Sequence, residues 1–458
     1  MRGWWLLWLV FWVCSGVVLA QDWPQWRGPD RSGEARSGAA SPWPETLIKL
    51  WSVKTGAGLA SPIVVGESAY LLTRDGKEEV VTKYRLADGG LVWQDRYAAP
   101  FFPNSQASSA ALFPVSKGMG PFASPLFHDG KLYTLGVSRI CSCYDAMTGA
   151  LLWRNHFFKT ELPGKPVYVC PPCGSECDEL EFDGPGICET CRMPLNVKDV
   201  ETSATFTGTW PNYYGAAASP LAAGGLIFIH VSQPDKGRLM ALEAGSGKER
   251  WHWDGPAQVS SSPVLAEIHG IAQIVVLTRE SVAGIALKSG RELWSFPLTS
   301  NAQIVTPIVS ETKVVFATYR GPLTALDIRE SGDVFKAEPA WENQDVQTQT
   351  STPVLGDGVL FCHSTKRRGQ IVTVDLESGN TLWQAEGNLG RHASVTALGQ
   401  EVMLLGLNGE LMVFKKNRDA YQAVQRYRVT EKPVWTMPIP IGKRILIKEA
   451  DALTLWGR

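Results

Sequence analysis

The chain of 458 residues has almost no net charge: 44 Lys and Arg stand against 45 Asp and Glu, a formal balance of −1. No block of one sign interrupts that balance. The basic stripe that a nucleic acid or an anionic lipid surface requires is missing, so neither is expected as a partner. Histidine is scarce, with 7 residues, and no Cys-x-x-Cys-His occurs, which excludes covalent c-type haem. After residue 20 no apolar run is long enough to cross a bilayer. The first 20 residues differ. Arg2 is followed by an apolar stretch from Trp4 to Val13 and then by small residues up to Val18-Leu19-Ala20, the parts of a signal peptide cleaved after Ala20. An uncleaved anchor helix is the alternative; a lipoprotein is not favoured, because Cys14 follows Val13 where a small residue is needed. Either way the protein is expected in the periplasm or outside the cell.

Against these absences, glycine (44), proline (29) and tryptophan (18) are plentiful, and they recur in order. Gly-x-x-x-Trp appears at Gly89/Trp93, Gly149/Trp153, Gly247/Trp251, Gly290/Trp294 and Gly379/Trp383. Out of phase with it run Ser61-Pro62, Ser124-Pro125, Ser219-Pro220, Ser262-Pro263, Thr306-Pro307 and Thr352-Pro353, with Ser394-Val395 and Met437-Pro438 as degenerate members. From the third of these marks onward the spacing is about 42 to 46 residues, the length of a four-stranded propeller blade. The first two intervals are longer and must hold insertions. Within a unit, short strand-like runs end in Trp, and Gly falls where a hairpin needs positive φ. A large ring on the outermost strand can wedge against the neighbouring blade.

The ends complete the circle. Residues 436–456 supply three strands and stop, while residues 47–53 form a lone strand ahead of the first mark; pairing them removes the exposed edges of an open sheet. The expected fold is all-β: an eight-bladed β-propeller over residues 47–458, with four-stranded antiparallel blades and a ring closed by the N-terminal strand. Seven blades is the alternative count, because the fifth unit is irregular and the seventh ends in Tyr427. Residues 21–46 form a Trp/Pro-rich strap. Its Trp23 and Trp26 are expected to lie on the propeller rim, with Arg27 in local hydrogen bonds; a ligand platform is the other reading. A monomer is expected.

Five of the eight cysteines beyond the signal fall within 22 residues. Cys170-Pro-Pro-Cys173 and Cys188-Glu-Thr-Cys191 are two Cys-x-x-Cys pairs, and each can sit in a tight turn that aims both sulfurs at one point. Four thiolates satisfy tetrahedral Zn²⁺ without histidine and leave no open position for a water, so the expected role is structural. The metal ligands are therefore expected to be Cys170, Cys173, Cys188 and Cys191, in a Cys-rich metal-binding insertion spanning 160–200. Cys177 is a fifth sulfur that could swap with a ligand, stay free or cap a site of different metal preference. Export favours a disulfide-linked loop as the competing reading; the strain of a bridge inside each Cys-x-x-Cys weighs against it. Cys141, Cys143 and Cys362 lie in strands and are expected to be small packing residues without a function.

Two resemblances follow from these residues. The run Tyr168-Val-Cys170-Pro-Pro-Cys173, closing with Cys188-Glu-Thr-Cys191-Arg-Met193-Pro-Leu195, resembles a small zinc-ribbon or heavy-metal-binding module. The units ending in Trp93, Trp153 and Trp383 resemble the repeat of pyrroloquinoline-quinone-type (PQQ-like) propellers, and the match covers most of residues 47–456. That family includes quinoprotein alcohol and glucose dehydrogenases and also an outer-membrane assembly lipoprotein whose similar ring binds no quinone, so the resemblance implies a fold and leaves function open. The dehydrogenases hold quinone over a vicinal Cys-Cys pair and Ca²⁺ on carboxylate and amide oxygens, with an Asp as base. No Cys-Cys occurs here, and Cys141-Ser-Cys143 is the nearest approach.

The expectation is an exported, non-catalytic propeller that acts as a binding scaffold in the cell envelope and has no catalytic residues. Its partner would be a protein, or a peptide or carbohydrate, on the propeller face. A PQQ- and Ca²⁺-dependent oxidoreductase of alcohols or sugars in the axial channel is the alternative. Candidates for the axial mouth, at the starts of the innermost strands, are Phe122, Tyr214, Ser260, Gln303, Gln349, Trp435 and His392, the last beside Arg391. The stretch Asn212-Tyr213-Tyr214 offers an aromatic surface.

Overall fold

In the middle strands of each repeat the apolar residues run on without alternation, as in Leu226–Ser232, where every residue after the first is buried. Such a strand must be covered on both faces, and a ring of stacked sheets does that. The computed structural model describes residues 22–35, 42–101, 120–158, 167–178, 180–182, 184–197, 215–232, 236–299, 305–332, 334–385 and 387–458. It holds eight blades, each with four antiparallel strands in chain order from the innermost outward. Blade 1, for example, runs through Ile63–Val65, Ser68–Asp75, Glu78–Arg85 and Leu91–Ala98. Blade 8 is completed from the other end of the chain: Ile48–Lys54 pairs with Ala452–Gly457, placing Trp51 opposite Leu455. The core lies between blades, as in the cluster that joins Phe228 and Leu239 of blade 3 to Ile274 and Ile285 of blade 4.

The Gly-x-x-x-Trp repeat is the device that docks one blade on the next. Gly89, Gly149, Gly247, Gly290 and Gly379 all have positive φ, between 69° and 78°, and each receives an indole from the preceding blade. A Cβ on these glycines would stand 2.4 to 2.8 Å from the rings of Trp51, Trp93, Trp153, Trp251 and Trp341 respectively. Only glycine therefore satisfies both the backbone and the contact. The indole N–H groups of Trp51, Trp93, Trp153 and Trp341 donate to the carbonyls of Leu86, Ala146, Ala244 and Leu376 at 2.9 to 3.2 Å. Trp51, isolated in sequence, is thus the docking residue of blade 8.

The Ser/Thr-Pro marks form a second ring, nearer the axis. Backbone N–H groups of Met437, Ser61, Ser124, Ser219 and Thr306 donate to the hydroxyls of Ser61, Ser124, Ser219, Ser262 and Thr352, at 3.0 to 3.2 Å. A hydroxyl reaches the next innermost strand where that strand's own backbone cannot. The carbonyls at these marks are left aimed at the axis.

Residues 22–35 fill that axis, and here the structure departs from the rim packing expected of the strap. Trp23 pairs through its backbone with Val64 of blade 1, and Pro24 O accepts from Phe127 N of blade 2 at 2.8 Å. Arg31 donates to the carbonyls of Ser219, Pro220 and Pro263 of blades 3 and 4. Trp26 Nε1 donates to Thr306 Oγ1 of blade 5 at 3.0 Å. Arg27 donates to the carbonyls of Thr352 and Pro353 of blade 6, in addition to its local bonds to Arg31 O and Ser32 O. Glu34 and Ala35 add a parallel fifth strand inside blade 7. Both arginines sit in the left-handed region, at φ 61° and 62°, a conformation that persists only where the surroundings enforce it. The physical reason is donor supply: two guanidinium forks satisfy a ring of carbonyls that no sheet edge can reach.

Candidate functional sites

The tip of the strap is the floor of a cup at the axial mouth. A cavity of about 110 Å³ is lined by Trp26, Leu59, Phe122, Ala217, Ser260, Thr350 and Trp435 among others. Three of the candidates for the mouth, Phe122, Ser260 and Trp435, therefore meet there. His392 stands behind them: its ring centroid is 4.9 Å from that of Trp435, and its Nδ1 is 2.9 Å from Thr350 Oγ1. Burial, reinforced by the Arg391 guanidinium, lowers the imidazole to about 4, so near neutral pH it is an uncharged ring. Its Nε2 is buried with no hydrogen-bond partner among the described residues. Gln349 is not among the lining residues, and Tyr214, Gln303, Asn212 and Tyr213 lie outside the described residues. Beneath the cup, burial lowers both Arg27 and Arg31 to about 9, with Asp30 opposing the shift at Arg27; both remain cationic at neutral pH.

Cys141 and Cys143 do not resemble a redox pair. Both are buried in the third strand of blade 2, opposite Asn155 and Trp153, and burial raises both thiols, Cys143 to about 11. Buried neutral thiols of this kind are inert packing.

The cysteine insert is a separate small unit. Tyr168–Val169 pairs antiparallel with Glu181–Phe182 and with Asn196–Val197, and Tyr168 and Leu195 pack against the sulfurs. The sulfurs of Cys170, Cys177, Cys188 and Cys191 lie within 4.8 Å of one another, whereas Cys173 groups with Cys177 and Asp178. Cys170 Sγ is 3.7 Å from Cys177 Sγ and 3.3 Å from Cys191 Sγ; all described cysteines are free. Sulfurs sharing one tetrahedral Zn²⁺ stand about 3.8 Å apart, given Zn–S bonds of about 2.3 Å. The donor set thus fits a thiophilic tetrahedral ion. N–H groups of Cys191 and Thr190 aimed at Cys188 Sγ hold that thiol well below its ordinary range, against the effect of burial. Of the expected ligands, Cys170, Cys188 and Cys191 converge, while Cys173 stands one sulfur away, 3.6 Å from Cys177.

A sequence profile described as outer membrane protein assembly factor BamB, PQQ_2, matches residues 77–169 and 200–386. The chain belongs to this PQQ_2 family. Two proteins named outer membrane protein assembly factor BamB, from Yersinia pestis and Moranella endobia (strain PCIT), are 25% and 23% identical over 248 and 247 residues. Each alignment covers 51% of this chain, which spans 59% of the length of these curated relatives. The crystal structure of BamB from Moraxella catarrhalis superposes with a TM-score of 0.58 at 14% identity, over 90% of this chain and 98% of that one. The quinohemoprotein alcohol dehydrogenase from Comamonas testosteroni gives 0.60 at 11% identity, over 95% and 80%. These likenesses establish the propeller, which proteins of quite different chemistry share.

The dehydrogenases of this fold make quinone and Ca²⁺ the groups to test against the axial mouth of this PQQ_2 propeller. The cavity is well under the ~300 Å³ at which sites for drug-sized ligands begin. Among the described residues its lining offers aromatic faces and hydroxyls and no carboxylate, so these residues give a hard divalent cation no charged oxygen ligand. The guanidiniums of Arg27 and Arg31 beneath the cup are already spent on backbone carbonyls. Quinone with Ca²⁺ does not fit the described residues of the cup.

Sequence reasoning missed the axial role of Arg27 and Arg31, and it left Cys177, which stands with Cys170, Cys188 and Cys191, open between swapping with a ligand, staying free and capping a site. The only local trace of the first is Arg27-Gly28 and Arg31-Ser-Gly33, glycines at φ 84° and 81° beside the two turning arginines.

Proposed function

We propose that this PQQ_2-family chain is an exported, non-catalytic propeller that presents its axial cup to a protein partner in the cell envelope. The observation that carries this reading is the strap: the axis, where a propeller enzyme of this fold would place a cofactor, is occupied by the chain's own Trp26, Arg27 and Arg31. What remains is a shallow aromatic cup with a few hydroxyls, suited to a side chain or a turn of a peptide. The relatives named for outer membrane assembly support an envelope role, and the leader-like residues 1–20, which lie outside the described residues, support export. No helix among the described residues is long and apolar enough to cross a membrane. Residues 21–46 would serve as the plug, 47–458 as the ring, and 160–200 as an inserted module holding one Zn²⁺ on thiolates.

The test is direct. Purified protein is incubated with pyrroloquinoline quinone and Ca²⁺, desalted, and assayed for a bound chromophore and for dye reduction with alcohols and sugars; neither is expected. A retained quinone with substrate-dependent dye reduction would overturn the reading in favour of an oxidoreductase. For the module, elemental analysis is expected to give one zinc per chain, lost on Cys188→Ser with Cys191→Ser. Intact disulfides and no metal would refute it.

A further inference from the structure

The two Cys-x-x-Cys turns of the insert look alike in sequence and differ in the structure. In the second turn, Arg192 N closes the turn on Cys188 O at 2.9 Å, and the sulfurs of Cys188 and Cys191 both belong to the group of four that converge. The first turn is tied to a carboxylate instead. Pro172 carries no N–H, and the N–H groups of Cys173 and Gly174 go to Asp178 Oδ1 and Oδ2, at 2.7 and 3.0 Å. A carboxylate thus takes the donors that would otherwise stabilise a metal-bound sulfur.

Resting on the reading of the insert as a metal module, we infer that Cys170, Cys177, Cys188 and Cys191 hold the ion, and that Cys173 is a reserve thiol through which a d¹⁰ thiophilic ion, Zn²⁺ or Cu⁺, enters and leaves. Three observations carry this beyond a static staple. The sulfurs of Cys170, Cys177, Cys188 and Cys191 are mutually close enough to share one ion. Cys173 Sγ lies 3.6 Å from Cys177 Sγ, about the spacing of two sulfurs that share one ion. Cys170, Cys177 and Cys188 are buried while Cys173, like Cys191, is half-buried, so the spare sulfur is open to an outside ligand.

Exchange then needs no redox step. Cys173 S–H forms a bond to the ion as the Cys177–metal bond breaks, and the proton passes from Cys173 to the departing Cys177 thiolate. Charge and ligand number are unchanged. An outside thiolate ligand can take the ion from the more exposed arrangement, which makes the module a donor or acceptor of metal rather than a permanent clamp.

The full chain, loaded with Zn²⁺ under reducing conditions, tests this with two variants. Cys173→Ser is expected to keep one zinc per chain and to release it to a chromophoric chelator at least tenfold more slowly than the wild type. Cys177→Ser is expected to lower zinc affinity at least tenfold, because the turn at Cys173 stays committed to Asp178. Unchanged tryptophan fluorescence in both variants shows that the ring is intact. Loss of zinc from Cys173→Ser with retention in Cys177→Ser would overturn the ligand assignment, and unchanged release from Cys173→Ser would overturn the exchange role; in both cases zinc on the wild type leaves the metal reading standing. A wild-type chain that takes up no metal under these conditions refutes that underlying reading instead.

Discussion

Two glycines of blade 2 separate the cost of a positive φ from the cost of losing the blade-to-blade contact. Gly130, at φ 71°, has nothing within 4 Å of the place its Cβ would occupy, whereas Gly149, at φ 78°, would put that Cβ 2.6 Å from Trp93 Cδ2 and 2.8 Å from Cγ. Alanine at Gly130 should cost only the left-handed backbone penalty, about 1–2 kcal/mol. Alanine at Gly149 adds overpacking against a ring wedged between blades and bonded to Ala146 O, about 1–3 kcal/mol more. With an unfolding entropy of about 2.1 cal/mol/K per residue over 458 residues, 1 kcal/mol corresponds to about 1 °C. Calorimetry should therefore find Gly149→Ala melting about 1–3 °C below Gly130→Ala. Repeating both substitutions on Trp93→Ala, where the ring is gone, should bring the two costs together, a coupling of about 1–3 kcal/mol. Equal costs on the native background, or no coupling to Trp93, would refute the docking account of the repeat.

The ring should also be acid-sensitive. Burial lowers His230 to about 3 and His363 to about 4, so in the pH window below about 6.5 the unfolded chain binds protons that the native state refuses; stability is full above that window and falls toward pH 4, by about 3 kcal/mol for His363 alone. Both His230 ring nitrogens lack partners among the described residues, and His230→Leu should flatten the acid limb of a fluorescence-monitored pH titration; an unchanged slope would count against this. Arg31→Met leaves the carbonyls of Ser219, Pro220 and Pro263 without their donor and should destabilise by about 3 kcal/mol or more in denaturant melts, with a neutral result pointing to a strap that is not needed. Ser124→Ala removes the acceptor for Ser61 N and should cost about 1 kcal/mol, checked by the same melts.

How much of this was readable beforehand follows the range of the interactions. Gly149 and Trp153 announce a blade because the turn and its strand are four residues apart, and the marks at Ser61 to Thr352 repeat because each blade poses the same closure problem. The partner of each docking Trp lies a whole blade away, so the repeat disclosed the architecture and not which glycine received which ring. Arg31 finds its carbonyls 188 to 232 residues onward, and Arg27 finds its own 325 and 326 residues onward. The glycines beside them would occur equally next to exposed arginines of a Gly/Pro-rich loop, and the strap was therefore expected on the rim. Cys173 matched a knuckle spacing, but spacing does not record that Pro172 lacks a donor and that Asp178 captures the remaining ones.

The plug has a consequence for how the molecule is assembled. The segment at 22–35 precedes every blade in the sequence, yet its seat exists only once blades 1 through 7 stand in a circle, so it must dock after the blades that follow it. Its contacts are among the longest loop closures in the chain, and such closures reward the chain only after the shorter ones are paid in entropy. Until then the carbonyls around the axis are open to water and Trp26 has no floor to form. A chain halted before its final blades would carry an empty hub and a loose aromatic strand end, the kind of intermediate that other chains can capture. Completion of the hub is thus a built-in signal that the whole circle has been made.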